Sequence, residues 1–168
     1  RAKASFGGRS GGVTGVIEFS HTGSAGKTEV VVTLDGLQGQ AGGYHVHVLP
    51  VDSSSGEGSN EVCQTTAGHF DPFSVTPGAC AGSSNPGEDC EVGDLSGKHK
   101  SLAGMMQARE MYLDDNLPLY GSNSIIGRSV VIHRNDGGKT RWACATIEHA
   151  GAVIQAEARF EDGGVSGR

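Results

Sequence analysis

The stretch GYHVHVLP, residues 43–50, sets His45 and His47 two positions apart, with Val46 and Val48 interleaved. In an extended strand, residues i and i+2 share a face. The pattern predicts a β-strand with two imidazoles side by side on one face and the valines packed on the other. Imidazole is the commonest metal ligand among side chains. Alternating polar and apolar residues also describe an ordinary surface strand, so the rest of the chain must decide between the two.

Outward from this stretch, VTGVIEF (13–19) and TEVVVTL (28–34) read as strands joined by a turn, HTGSAGK. After it, residues 51–97 are rich in Gly, Ser and Pro and much longer than an ordinary connection, which marks a functional loop rather than a linker. Strands resume near SLAGMMQARE and run through SIIGRSVVIH (124–133). A short turn, RNDGGKT, leads to RWACATIEHAG, read as another strand. Neither an internal repeat nor a second domain is visible. Short strands separated by turn signals predict an antiparallel sandwich or barrel, in one domain over residues 1–168.

Composition agrees. The chain has 168 residues, 36% hydrophobic and 19% charged, with 28 glycines. That length can bury a core, and the glycine content suits turns. A net charge of −6 argues against a nucleic-acid partner. No apolar run approaches the ~18 residues of a membrane span. A chain starting at Arg1 without Met reads as a processed protein or an excised domain. The four cysteines, Cys63, Cys80, Cys90 and Cys144, form no CxxC pair, which speaks against a thiolate zinc site. Their even number is compatible with two disulfides and an oxidising compartment. Three pairings are open, although Cys80 and Cys90 lie within the long loop and can staple it.

Besides His45 and His47, the histidines are His21, His69, His99, His133 and His149. His69 sits in a loop segment, TAGHFDPF, and His133 ends an apolar run at a strand terminus. His21 reads as a turn residue, His99 follows Gly-Lys, and His149 falls in the C-terminal tail; all three read as solvated surface positions. Spacing alone cannot show which histidines meet.

Five stretches in order, GYHVHVLP, CQTTAGHFDP, EVGDLSG, SIIGRSVVIH and RWACATI, resemble the copper–zinc superoxide dismutase family over nearly the whole chain. The resemblance implies an all-β, eight-stranded antiparallel Greek-key β-barrel or immunoglobulin-like sandwich with long loops. It implies that His45, His47, His69 and His133 bind copper, with His69 the histidine that bridges to zinc in the family. It pairs Cys63 with Cys144, leaving Cys80 with Cys90, and makes Arg141 the active-site arginine. Nitrogen donors suit copper in both oxidation states, and a fixed guanidinium can hold a small anion such as superoxide.

The chain departs from the family pattern at the zinc half. The position eight residues after His69 is Pro77, and the residue before the VGDL valine is Glu91, where the family has histidines. His69 and Asp94 alone are too few for a closed zinc site. The loop between His133 and Arg141 is short, RNDGGKT. Both departures resemble the copper-only superoxide dismutases and their repeat domains, some of which occur in tandem in extracellular proteins. The expectation is a secreted or extracellular domain that dismutes superoxide with one copper and no zinc. Glu91 is expected to take the free ring nitrogen of His69, with Asp94 as the other candidate for that role. The alternative is a copper-binding or structural repeat domain with little turnover.

Overall fold

The structure, a computed structural model, describes residues 1–7, 11–23, 26–52, 62–76, 80 and 83–151. Among these residues seven strands form one antiparallel sheet: β1 (Ala2–Gly7), β2 (Thr14–Thr22), β3 (Lys27–Asp35), β4 (Ala41–His47), β5 (Ala108–Asp114), β6 (Ser129–Arg134) and β7 (Arg141–His149). The strand order is β4-β6-β7-β1-β2-β3-β5. Chain order and spatial order part at β4, which lies beside β6 while β3 pairs with β5, a Greek-key connection.

Period-2 alternation builds most of these strands. In β1, Ala2, Ala4 and Phe6 face inward while Lys3, Ser5 and Gly7 face water. In β3, Thr28, Val30, Val32 and Leu34 do the same. The inward residues meet Ile17, Phe19, Tyr44, Val46, Ile132, Trp142 and Ile147 in one core. The outermost strands also meet: the Tyr44 and Tyr112 hydroxyls, from β4 and β5, lie 2.8 Å apart. The sheet is therefore curled until its two ends are joined by side chains rather than by a backbone ladder.

The eight strands expected are seven among the described residues. The run read as a strand from 124 begins only at Ser129, because residues 124–128 turn. Ser124 N–H donates to Gly121 O, Arg128 N–H donates to Ile125 O, and Gly127 takes φ +84°. Likewise the strand read near SLAGMMQARE begins at Ala108. His21 lies within β2 and His149 ends β7, not in a turn and a tail.

The free edge of β4 is covered by the long loop. Tyr44 N–H donates to Ser96 Oγ (2.6 Å), and that hydroxyl donates back to Tyr44 O (3.1 Å). Val46 N–H donates to Gly93 O (2.8 Å), and Val46 O accepts from Phe70 N–H (2.8 Å). Val48 N–H and Leu49 N–H donate to Gly68 O and Thr66 O. Gly93 N–H closes the web by donating to Phe70 O at 2.8 Å. A Cβ at position 93 would stand 2.4 Å from Val46 O, so the close approach requires glycine.

Candidate metal centre

Within β4, His45 and His47 share a face as the alternation predicted, and Val46 is fully buried on the other. Val48 lies beyond the strand end and is exposed, contrary to the packed position expected of it. His133 comes from β6, the neighbour of β4. His69 comes from the loop, drawn in by a bridge to His47. One ring nitrogen from each of His45, His47, His69 and His133 lies within 4.8 Å of the others. These are the four histidines that the family resemblance implies, and the fold brings all of them together. Gly43 makes room for it, since a Cβ there would come within 3.1 Å of the His45 ring.

Hydrogen bonds orient the rings. His47 Nδ1 lies 2.8 Å from Ala67 O, and His133 Nδ1 lies 2.7 Å from Lys139 O. A carbonyl can only accept, so both Nδ1 atoms carry the proton and donate it. In the neutral rings each Nε2 then presents a lone pair, and these two atoms face each other at 3.4 Å. No proton is left to join them. His45 Nδ1 is buried without a hydrogen-bond partner among the described residues. Converging lone pairs and an orphaned buried nitrogen form a cradle for a cation, and an all-nitrogen set fits copper.

Burial first, and then the neighbouring histidines, pushes the His45 imidazole down to about 2; burial likewise takes His47 down to about 3 and moves His133 in the same direction. His45 and His47 therefore stay neutral at any ordinary pH, the state that ligation requires, and burial favours the same form of His133.

His69 Nδ1 lies 2.6 Å from Glu91 Oε2. Asp94 is engaged differently: of the one-turn helices α1 (Pro86–Asp89) and α2 (Leu95–Lys98), its carboxylate caps the second by accepting from Gly97 N–H at 2.7 Å, and it also lies 3.4 Å from His45 Nε2. The two carboxylates that spacing left as alternatives are thereby separated. Pro77 lies outside the described residues.

The disulfide Cys63–Cys144 ties a 3-10 turn, Val62–Thr66, to β7, and Cys80–Cys90 staples the loop next to Glu91. Arg141 sits opposite His133 across the β6–β7 ladder. Its Nη1 donates to Cys63 O (2.9 Å), Gln64 O (3.3 Å) and Thr66 Oγ1 (3.2 Å). A guanidinium held by three acceptors is fixed in direction beside the histidines, and its positive charge helps hold His47 and His133 neutral.

Sequence reasoning missed the carbonyls of Ala67 and Lys139, since a backbone acceptor leaves no signature in residue type. It also misplaced His99. That ring is not a solvated surface group: it stacks on Tyr112 and its Nε2 lies 2.8 Å from the buried Asp114 carboxylate.

Residues 13–156 match the family model for copper/zinc superoxide dismutase. A cell surface Cu-only superoxide dismutase 5 of Candida albicans is 37% identical over 139 residues, which are 80% of this chain and 54% of that protein. The chain thus spans about half the length of that curated relative. The Cu(II) structure of Candida albicans superoxide dismutase 5 superposes with a TM-score of 0.73 at 32% identity, covering 90% of this chain and 92% of that one. A mutant of the same protein gives 0.71 at 30% identity, covering 89% and 91%. Four convergent imidazoles on a Greek-key sheet thus stand where sequence and structural likeness agree, and the chain belongs to the copper/zinc superoxide dismutase family, on the side of its Cu-only members.

Proposed function

We propose that residues 1–168 form one superoxide dismutase domain that works with copper and without zinc. The observation that carries this reading is the pair of Nε2 lone pairs of His47 and His133, 3.4 Å apart with both Nδ1 protons donated elsewhere. With His45 and His69 they would hold one copper ion. Copper supplies the one-electron steps by which two superoxide anions and two protons become dioxygen and hydrogen peroxide.

The chain's own residues do the rest. Arg141 offers a fixed cation to the incoming anion and offsets its charge. His69 Nε2 can carry a proton to the departing peroxide, with the Nδ1 contact to Glu91 holding the ring in place while it does so. Glu91 at 2.6 Å takes the nitrogen that a second metal would need, which supports a zinc-free site. An anionic partner at Nδ1 also raises ring basicity. The two disulfides and a cell-surface relative support an extracellular setting.

The test is superoxide removal by the copper-loaded chain, compared with Glu91→Gln and Glu91→Ala. Activity is expected to fall in that order, by about 10–100-fold at Ala, the scale of lost metal-ligand partners, with copper still bound. A copper-loaded chain without turnover would favour a copper-binding or structural repeat domain. Full activity in Glu91→Ala would remove the role given to Glu91.

A further inference from the structure

The backbone that carries Glu91 is irregular: it runs from the Cys80–Cys90 disulfide into the single turn of α2. Something must define it, because a carboxylate 2.6 Å from a ring nitrogen depends on its main chain being placed to a fraction of an ångström. The Val92–Gly93 peptide, the second after Glu91, is gripped at both ends. Its N–H, that of Gly93, donates to Phe70 O at 2.8 Å, next to His69. Its carbonyl, that of Val92, accepts from Lys98 Nζ at 2.8 Å.

Lys98 is an unusual residue to find there, since its side chain is only 3% exposed and Asp114, its ionic partner, is 0% exposed. All three ammonium protons are used: Val92 O at 2.8 Å, Asn116 Oδ1 at 2.7 Å and Asp114 Oδ2 at 2.8 Å. The same Asp114 oxygen also takes His99 Nε2, and the other accepts from Asn116 N–H. The ammonium thus joins the end of α2, the turn after β5 and the Glu91 strap at a single atom. Buried ion pairs add little net stability over apolar residues of the same volume. A fully satisfied one does fix a single arrangement of the groups it joins.

We propose that Lys98 is a positioning residue for the metal centre: its buried ammonium, braced by Asp114, clamps the Val92 carbonyl and thereby sets the backbone from which Glu91 reaches His69. The proposal rests on the role given above to Glu91. Lys98 touches neither the histidines nor the substrate. It acts through one peptide unit, with Phe70 holding the other end.

The test compares wild type, Glu91→Ala, Lys98→Met and the double variant Lys98→Met/Asp114→Asn, which removes both buried charges together and avoids stranding one. In the copper-free chain, NMR reads the His69 Nδ1 proton, sharp and far downfield when held by Glu91. Hydrogen exchange reads the Gly93 amide. In the copper-loaded chain, EPR reads the uniformity of the site alongside superoxide removal. In at least one folded lysine variant the His69 proton signal should be lost, Gly93 exchange should rise at least tenfold, the copper spectrum should broaden with one copper still bound, and activity should fall several-fold. Amides in β2 and β3 should not change, which a general loosening of the fold would not allow. If Glu91→Ala lowers activity while every folded lysine variant keeps the His69 signal and the Gly93 protection, Lys98 has no positioning role. If Glu91→Ala itself changes nothing, the reading of Glu91 fails, and this one with it. If neither lysine variant folds, Lys98 is a general fold element and the proposal is overturned.

Discussion

Acidification from pH 7 to pH 5 should destabilise the copper-free chain markedly, because two of its metal-facing imidazoles are buried without protons. His45 and His47 are held neutral by burial, with folded values near 2 and 3, whereas both take up protons near 6.5 once unfolded. Above about pH 8 neither state binds these protons, and the rings contribute no pH-dependent term. Between about 6.5 and 3 the unfolded chain binds protons that the folded chain cannot, so stability falls as pH falls. At pH 5, some 1.5 units below the unfolded value, each ring costs about 2 kcal/mol, or about 4 kcal/mol together. His133 adds in the same direction. For a domain of this size the pair corresponds to a drop of roughly 8–16 °C in Tm. Differential scanning calorimetry of the metal-free chain at pH 7 and pH 5 measures it. The copper-loaded chain should shift less over the same interval, because the metal holds the rings against protons. Metal-free midpoints within 2 °C of each other at the two pH values would refute the argument that these nitrogens are buried and unprotonated.

Arg141→Ala should keep its copper and lose rate, by about tenfold or more, with a flatter dependence on ionic strength, since it removes a cation that guides and docks an anion; loss of copper instead would make Arg141 structural. Reconstitution with both ions, followed by dialysis and elemental analysis, should give one copper per chain and negligible zinc; retained stoichiometric zinc would overturn the zinc-free reading. Gly93→Ala puts a Cβ 2.4 Å from Val46 O and 3.1 Å from Phe70 O, an overlap expected to cost about 1–3 kcal/mol and to lower activity with it; an unchanged unfolding midpoint in that variant would count against the web around Val46.

Much of the site was legible because its ligands sit on a strand. Two histidines at period 2 must share a face, and the family resemblance supplied the partners from loop and neighbouring strand. Where the reading failed, local pattern and tertiary role had parted. β1, AKASFG, alternates faithfully, but with alanine at two of its three inward positions its signal is faint. Ile125 is fully buried although it lies in a turn, so the apolar run overshot the true start of β6. Glu91 came before Asp94 only because it stands where the family has a zinc ligand; spacing left both open, since their segment follows no regular period until α2. What separated them was a helix cap, which engages Asp94 and leaves Glu91 for His69. Lys98 and Asp114 lie far enough apart in sequence that no pattern links them.

The cover over β4 has a consequence for self-association. β4 is the outermost strand of the sheet on its side, and an unpaired outer strand is a template on which another chain can add. Here every backbone group identified on that edge, from the Tyr44 amide to the Leu49 amide, is taken by the same loop that carries His69, Glu91 and Ser96. The loop that places His69 and Glu91 beside the other histidines is thus also the one that keeps the sheet from growing. A lesion that frees the loop would cost the domain its chemistry and its solitude in one event, and inactive chains should be found preferentially among the aggregated ones.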